Sequence, residues 1–335
     1  MKKLFIIAAA ACVTLASCVK NEPVQTPEFG DEISFESPIL APNTKVAEMT
    51  EFEGKSFDVW AHFTQNAWDA STTIEGATLY IDGVEMSDQG SSWYNTTNKS
   101  YWPKNGKLHF SAVYPANLSN VSIAATGVKI SSYTVSTTVA DQVDLLISKR
   151  IYDAVKTGDP VASVPLVFDH ALSAINFKAK AAEGTPITIN SITISGVKGS
   201  GSFDQSLAPE KDSNWANEKT YANWTPSGDD VAYTAFTGEL ALSESPVFVS
   251  TGNNNRGNEA DLILMPQDLE DIGQTVTVTY TLDGMAGQTA EFELTGAWYR
   301  GVRYNYLLSF EAGDLITFTA TTTPWGSTDP VDTPL

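Results

Sequence analysis

Residue types able to do chemistry are scarce in this sequence. Among 335 residues there are two cysteines, Cys12 and Cys18, and three histidines, His62, His109 and His170. The histidines stand tens of residues apart in strand-like contexts, so each is expected to be a hydrogen-bonded core histidine rather than a ligand or a base. The sequence has no His-Glu-x-x-His, no Gly-x-Ser-x-Gly, no Cys-x-x-Cys and no phosphate-binding Gly-x-x-x-x-Gly-Lys. No window alternates Asp and Asn with a distal Glu as a calcium loop does. Gly196, Gly199 and Gly201 follow a strand pattern with no helix behind it, which makes them a loop or bulge rather than a phosphate cradle. Acidic pairs such as Asp229-Asp230 and Glu270-Asp271 read as solvated loops. The carboxylate pair of a glycosidase is defined by separation in space, and no residue pattern points to one. No catalytic residue, metal or cofactor is expected.

The reactive group with a clear assignment is a thiol. Lys2 and Lys3 precede an apolar run from Leu4 to Leu15, too short to span a bilayer but suited to a signal-peptide core. The run ends in Leu15-Ala16-Ser17-Cys18, a lipobox-like sequence in which Cys18 would be acylated and become the first mature residue. Residues 1–17 are therefore expected to be a lipoprotein signal peptide and Cys18 a membrane attachment point. Cys12 leaves with the signal, so the mature chain keeps no thiol for a disulfide, metal or nucleophile. Two or more acyl chains would anchor the protein stably, where one is marginal.

Eight tryptophans offer a second kind of chemistry, stacking on sugar rings. Trp60, Trp298 and Trp325 sit in or beside strand patterns and are expected in the core. Trp68, Trp93, Trp215 and Trp224 lie among Asn, Ser and Thr and are the candidates for exposed ligand contact, with core anchoring as the alternative. The Asn-x-Ser/Thr matches at Asn95, Asn98, Asn117 and Asn120 are read as chance in a bacterial lipoprotein.

Charge narrows the partners. Forty acids against twenty bases give a net charge of −20, which argues against nucleic acid and against polybasic docking to an anionic membrane. The aromatic content of 10% and charged content of 18% describe a folded, extracytoplasmic chain.

The elements that must carry these residues follow a period of two. Ile33-Ser34-Phe35, Val121 to Ile123, Val128 to Val135, Ile187 to Ile189, Ile192 to Ile194, Val276 to Val278 and Ile316 to Phe318 alternate apolar and polar residues, as half-buried strands do. Asp82-Gly83 and Asp283-Gly284 read as hairpin turns. A short helix is expected near Ala140 to Ala154. Pro23 and Pro27 mark residues 18–31 as a tether, and Gly158-Asp159-Pro160 with Pro165 suggests a boundary. The expected fold is all-β, two tandem antiparallel β-sandwich domains at 32–160 and 161–335.

Several stretches carry a family resemblance. They are Ile33-Ser34-Phe35 with Thr44-Lys45-Val46, Phe57-Asp58-Val59-Trp60-Ala61, Tyr101-Trp102-Pro103 and Leu108 to Pro115. The second half adds Phe168 to Phe177, Leu264-Met265-Pro266-Gln267, Tyr304-Asn305-Tyr306 and Pro324-Trp325. In this order, and with the lipobox, the chain resembles the fimbrillin family, lipoprotein precursors of type V pili. The resemblance implies two transthyretin-like sandwiches, an outer-membrane lipoprotein at the cell surface or in a fimbrium, and assembly rather than catalysis. It also implies a protease cut near the N-terminus that removes the first strand, whose place a strand of the next subunit takes.

Carried over, Ile33 and Phe35 belong to the removable strand and Lys45 is the processing position, with Lys55 a poorer candidate. Lysine replaces the arginine that the protease of the best-known relatives prefers. Either a different protease acts, or the subunit keeps its strand as a tip, anchor or non-polymerising member. The donor strand would carry Ile316, Phe318 and Ala320, and the same strand could equally be the last of its own domain. The implied partners are other fimbrial subunits and a host or bacterial surface receptor or glycan. A surface glycan-binding lipoprotein is the alternative function.

Overall fold

The alternating segments become strands throughout the computed structural model, which describes residues 31–40, 54–69, 71–207, 223–249, 262–269, 273–311, 315–325 and 333–334. The fold is all-β. The first sheet has eight strands, in the order Ile39–Leu40, Val167–His170, Leu146–Ser148, Lys107–Tyr114, Ser56–Thr64, Thr78–Asp88 and Trp93–Tyr94, with Ile151–Ala154 added to Lys107–Tyr114. Its central strands are buried on both faces. Phe57, Val59 and Ala61 enter one core and Trp60, one position out of phase, enters the other.

Two six-stranded sheets enclose the second core. One runs Met285–Glu293, Thr275–Leu282, Ile187–Asp204, Gly127–Thr134, Val121–Ala124, with Trp224–Ala241 also on Ile187–Asp204. The other runs Val247–Phe248, Ser173–Ala181, Val302–Phe310, Ile316–Pro324, Thr333–Pro334, with Leu262–Leu264 on Ser173–Ala181. Their facing residues, among them Ile175, Phe177, Ile192, Val278, Tyr304 and Leu308, close one apolar cluster.

The sheets depart from the expected layout in four ways. The pairing is not wholly antiparallel, because Ser173–Ala181 lies parallel to Val302–Phe310 and Ile39–Leu40 parallel to Val167–Phe168. A clean division after residue 160 is not what the strands make. Val167–His170 belongs to the first sheet, while the hairpin Val121–Ala124/Gly127–Thr134 joins the strand Ile187–Asp204. That strand is 18 residues long. Its partner Thr275–Leu282 covers it only as far as Ser195, which leaves the edge from Ser200 onward to the hairpin.

The stretch expected to be helical, Ala140 to Ala154, forms a single 3-10 turn at Val139–Asp141 and then strands. Asp82-Gly83 is not a hairpin turn either. Val59 pairs with Val84 but Ala61 with Ile81, so both residues sit in a bulge opposite Trp60. Gly83 has φ +57, and a Cβ there would stand 3.1 Å from the Trp60 ring. Asp283-Gly284 is a true hairpin turn, with φ 47 and 76.

Candidate functional site

The first sheet is closed by the start of the chain. Trp93–Tyr94 and Val167–His170 lie toward its opposite ends, and residues 31–40 bind to both. On one side the Ile33 amide donates to Ser100 O (2.8 Å), the Trp102 amide donates to Asp31 O (2.8 Å), and Phe35 and Trp93 exchange both of their bonds (2.9 and 2.8 Å). On the other side the Val164 amide donates to Ser34 O (2.8 Å), Glu36 to Val164 O (3.0 Å) and Ile39 to Leu166 O (3.0 Å). The segment thus bridges the two sides of the sheet, through isolated bridges at Glu32 and Phe35 and the short strand Ile39–Leu40.

Its side chains sit within the first core cluster. Ile33 is 2% exposed and Phe35 fully buried. The Phe35 ring meets Phe110 edge-on at 5.5 Å and Phe57 at 6.4 Å, with Trp93 stacked on Phe57 at 5.2 Å. Past Phe35 the phase shifts. Glu36 and Ser37 are exposed, while Pro38 and Leu40 turn inward. Polar contacts at the rim fasten the same segment: Ser34 Oγ to Ser163 Oγ (2.8 Å), Glu32 to Lys99 (2.7 Å) and Asp31 to Lys156.

The strand Ile316–Pro324 is held differently. It pairs antiparallel with Val302–Phe310 along its whole length. Phe318 stacks between Tyr306 (5.0 Å) and Phe292 (4.9 Å), yet Ile316, Phe318 and Ala320 are only half-buried. A pocket of about 40 Å³ at its root is lined by Leu282, Phe310, Leu315 and Ile316 among others. In the single chain, then, it is a strand of its own sheet. Trp325, just beyond it, stacks on His170 at 4.1 Å, and His170 Nδ1 lies 2.7 Å from Asp144 Oδ2. The end of this strand therefore rests on the strand beside Ile39–Leu40.

The four candidate ligand tryptophans scatter. Trp93, one of the candidates for exposed contact, takes the core-anchoring alternative and faces the closing segment, because alternation turns it inward among polar neighbours. Trp224 is likewise buried, its indole N–H donating to Ala171 O at 2.7 Å. Trp215 lies outside the described residues, as do Cys18 and Lys45. Trp68 alone among the described three is near the surface. The Arg150 guanidinium lies 4.5 Å over its ring, and His109 meets it edge-on at 4.7 Å.

His109 is buried, accepts the Asp153 amide at Nδ1 (3.1 Å) and so offers its Nε2 proton to Thr64 Oγ1 (2.7 Å). Burial, with Arg150 and His62 adding to it against Asp153, pushes its pKa down to about 4. Burial also lowers His62 and raises Asp58, which accepts the Asn117 amide at 2.6 Å. Among the described residues no group of three or more His, Cys, Asp or Glu is placed to hold a metal, and no helix is long and apolar enough to cross a membrane.

Alternation in Ile33-Ser34-Phe35 marks the start of the closing segment, but the phase shift hides Pro38 and Leu40 from any period-two pattern. Lys99, Lys156 and Ser163 carried no signal, since their partners are more than sixty residues away.

No curated protein matches the chain. Among solved structures, a fimbrial protein from Bacteroides vulgatus is similar, with 17% identity, a TM-score of 0.56, and coverage of 87% of this chain and 99% of that one. A candidate cell adhesion protein from Bacteroides uniformis matches at 16% identity and TM-score 0.48, covering 88% of this chain and 99% of its own. The model of the fimbrillin-like family matches residues 44–325, most of the length, and the chain belongs to that family.

Proposed function

We propose that this chain is a structural subunit or associated adhesin of a fimbria, displayed at the cell surface after lipidation at Cys18 and assembled by exchange of strands. The observation that carries the reading is that residues 31–36 close the first sheet by bonding to both flanks. Cleavage after Lys45 would release the closing segment from the rest of the chain.

The departure would uncover a large apolar slot. Ile33, Phe35 and Leu40 each contribute about 1.5–3 kcal/mol by burial. The amides of Trp93, Trp102 and Val164 would lose their acceptors, at about 1–3 kcal/mol for each that stays buried and unpaired. A cleaved subunit is thus strongly driven to accept a strand from outside, and a strand of another subunit restores both the ladder and the packing.

The test is limited digestion of the mature protein with a lysine-cutting protease. Loss of residues up to Lys45 together with denaturant-resistant ladders on a gel is the expected result. A cleaved protein that remains a monomer would contradict the proposal.

A further inference from the structure

Arg150 carries a charge that its surroundings leave unanswered. The residue is 9% exposed, and its Nη1 donates to Ala124 O and, at 3.0 Å, to Ala125 O, where the hairpin Val121–Ala124/Gly127–Thr134 turns. Its Nε and Nη2 are closed to solvent and have no hydrogen-bond partner. Among the described residues Arg150 enters no ion pair. The titratable side chains beside it, His62 and His109, supply no counter-charge: burial lowers the pKa of each, and the guanidinium adds to the shift. His62 Nδ1 is buried without a partner as well. A buried charge left uncompensated is costly.

The two vacant nitrogens belong together. Nε–H and the Nη2 amino group lie along one edge of the planar guanidinium and present parallel donors, spaced for the two oxygens of a carboxylate. A water at that edge would supply acceptors but no charge. The faces of the guanidinium carry a second signal, with the Trp68 ring at 4.5 Å and the Tyr152 ring at 5.3 Å. Tyr152 is 42% exposed and Trp68 is partly exposed. Aromatic walls around a few fixed polar groups are the make-up of a small-molecule site, and rings of this kind stack on the C–H face of a sugar.

We propose that Arg150, Trp68 and Tyr152 form a binding site for a sugar that carries a carboxylate, a uronic or sialic acid, held bidentate by Nε and Nη2 of Arg150. Trp68 stands in residues 65–69, which pair with no strand, and its amide is fixed by Asp153 Oδ1 at 2.8 Å. Its ring turns outward to admit the carboxylate and then covers the sugar. A net charge of −20 repels polyanions and acidic protein surfaces, whereas one carboxylate on an otherwise neutral ring meets little of that field. The site uses no residue of the closing segment or of the strand Ile316–Pro324, so it stands or falls apart from strand exchange.

Calorimetric titration of the intact chain tests the site, with methyl glucuronide and methyl sialoside as probes and methyl glucoside and acetate as controls. At least one acid should bind about tenfold tighter than either control, and the one that does identifies the source of the carboxylate. Arg150→Lys keeps the charge but loses the fork, and should weaken that binding about tenfold. Because Arg150 also holds the carbonyls of Ala124 and Ala125, Trp68→Ala and Tyr152→Ala serve as variants that leave those bonds in place. Each should weaken the acid severalfold. Failure of both acids to bind, equal binding of acid and glucoside, or undiminished binding in Arg150→Lys would overturn the site. Acetate binding as tightly as the acids would overturn the sugar as its ligand.

Discussion

The closing segment at 31–40 and the strand Ile316–Pro324 share an Ile-x-Phe pair, Ile33 and Phe35 in the one and Ile316 and Phe318 in the other, and are held by opposite means. The closing segment has few ladder bonds on each flank but buries Ile33 and Phe35 completely. The later strand has a continuous ladder on one flank, with its apolar side chains half-buried beside a small pocket. Side-chain burial dominates the first and backbone pairing the second. An element held mainly by burial is hard to lose by fraying, which suits a plug that a covalent cut must release. An element held by a ladder can re-form that ladder elsewhere at little net change, because the same N–H and C=O groups are satisfied in either place.

The sharpest way to break this comparison is to delete the same ring from each. Phe35→Ala should destabilise the intact chain by about 3–5 kcal/mol, as expected for a buried phenylalanine. Phe318→Ala should cost less, about 1–2 kcal/mol, because the ring is only partly buried in the intact chain. Denaturant titration of both variants measures this; equal losses would show that the two strands are not held differently.

Acid should weaken the first sheet before the sheets of the second core. Its His109 is held at about 4, below the ordinary 6.5, so the folded state resists protonation. Above pH 6.5 its contribution is complete. As the pH falls from there toward 4, the unfolded chain takes up the proton first and stability is lost. His62, shifted the same way, adds to the effect. The expected outcome is a Tm that falls between pH 7 and pH 4.5, with a shallower fall in His109→Gln. Hydrogen exchange should rise in Lys107–Tyr114 ahead of Val302–Phe310.

The smallest effect belongs to the rim. Lys99→Ala and Lys156→Ala each remove one surface ion pair to the closing segment. Each should lower the melting temperature only slightly, and less at high salt. A larger loss in a thermal melt would mean that charge, rather than burial, secures the plug.

Strand character was legible because period-two alternation is local, and Ile33-Ser34-Phe35 displayed it plainly. What alternation does not encode is which sheet a strand joins. Val121–Ala124 and Gly127–Thr134 read correctly as strands, yet they pair with Ile187–Asp204 because that strand outruns its neighbour. Asp82-Gly83 has the residues of a hairpin, but its positive φ serves a bulge under the Trp60 ring, a requirement set by a residue on the adjacent strand. Polar neighbours do not decide between surface and core for Trp93 and Trp224, since in a strand the neighbours of an inward residue point outward.

The central claim is that residues 31–40 are a plug whose place is refilled after cleavage. Site-resolved hydrogen exchange at the Trp93 and Val164 amides reads it directly, because these donate to Phe35 O and Ser34 O. The account predicts slow exchange in the intact chain and, once residues up to Lys45 are gone, slow exchange again in the assembled ladder. Fast exchange at both amides in an assembled, cleaved ladder would contradict it.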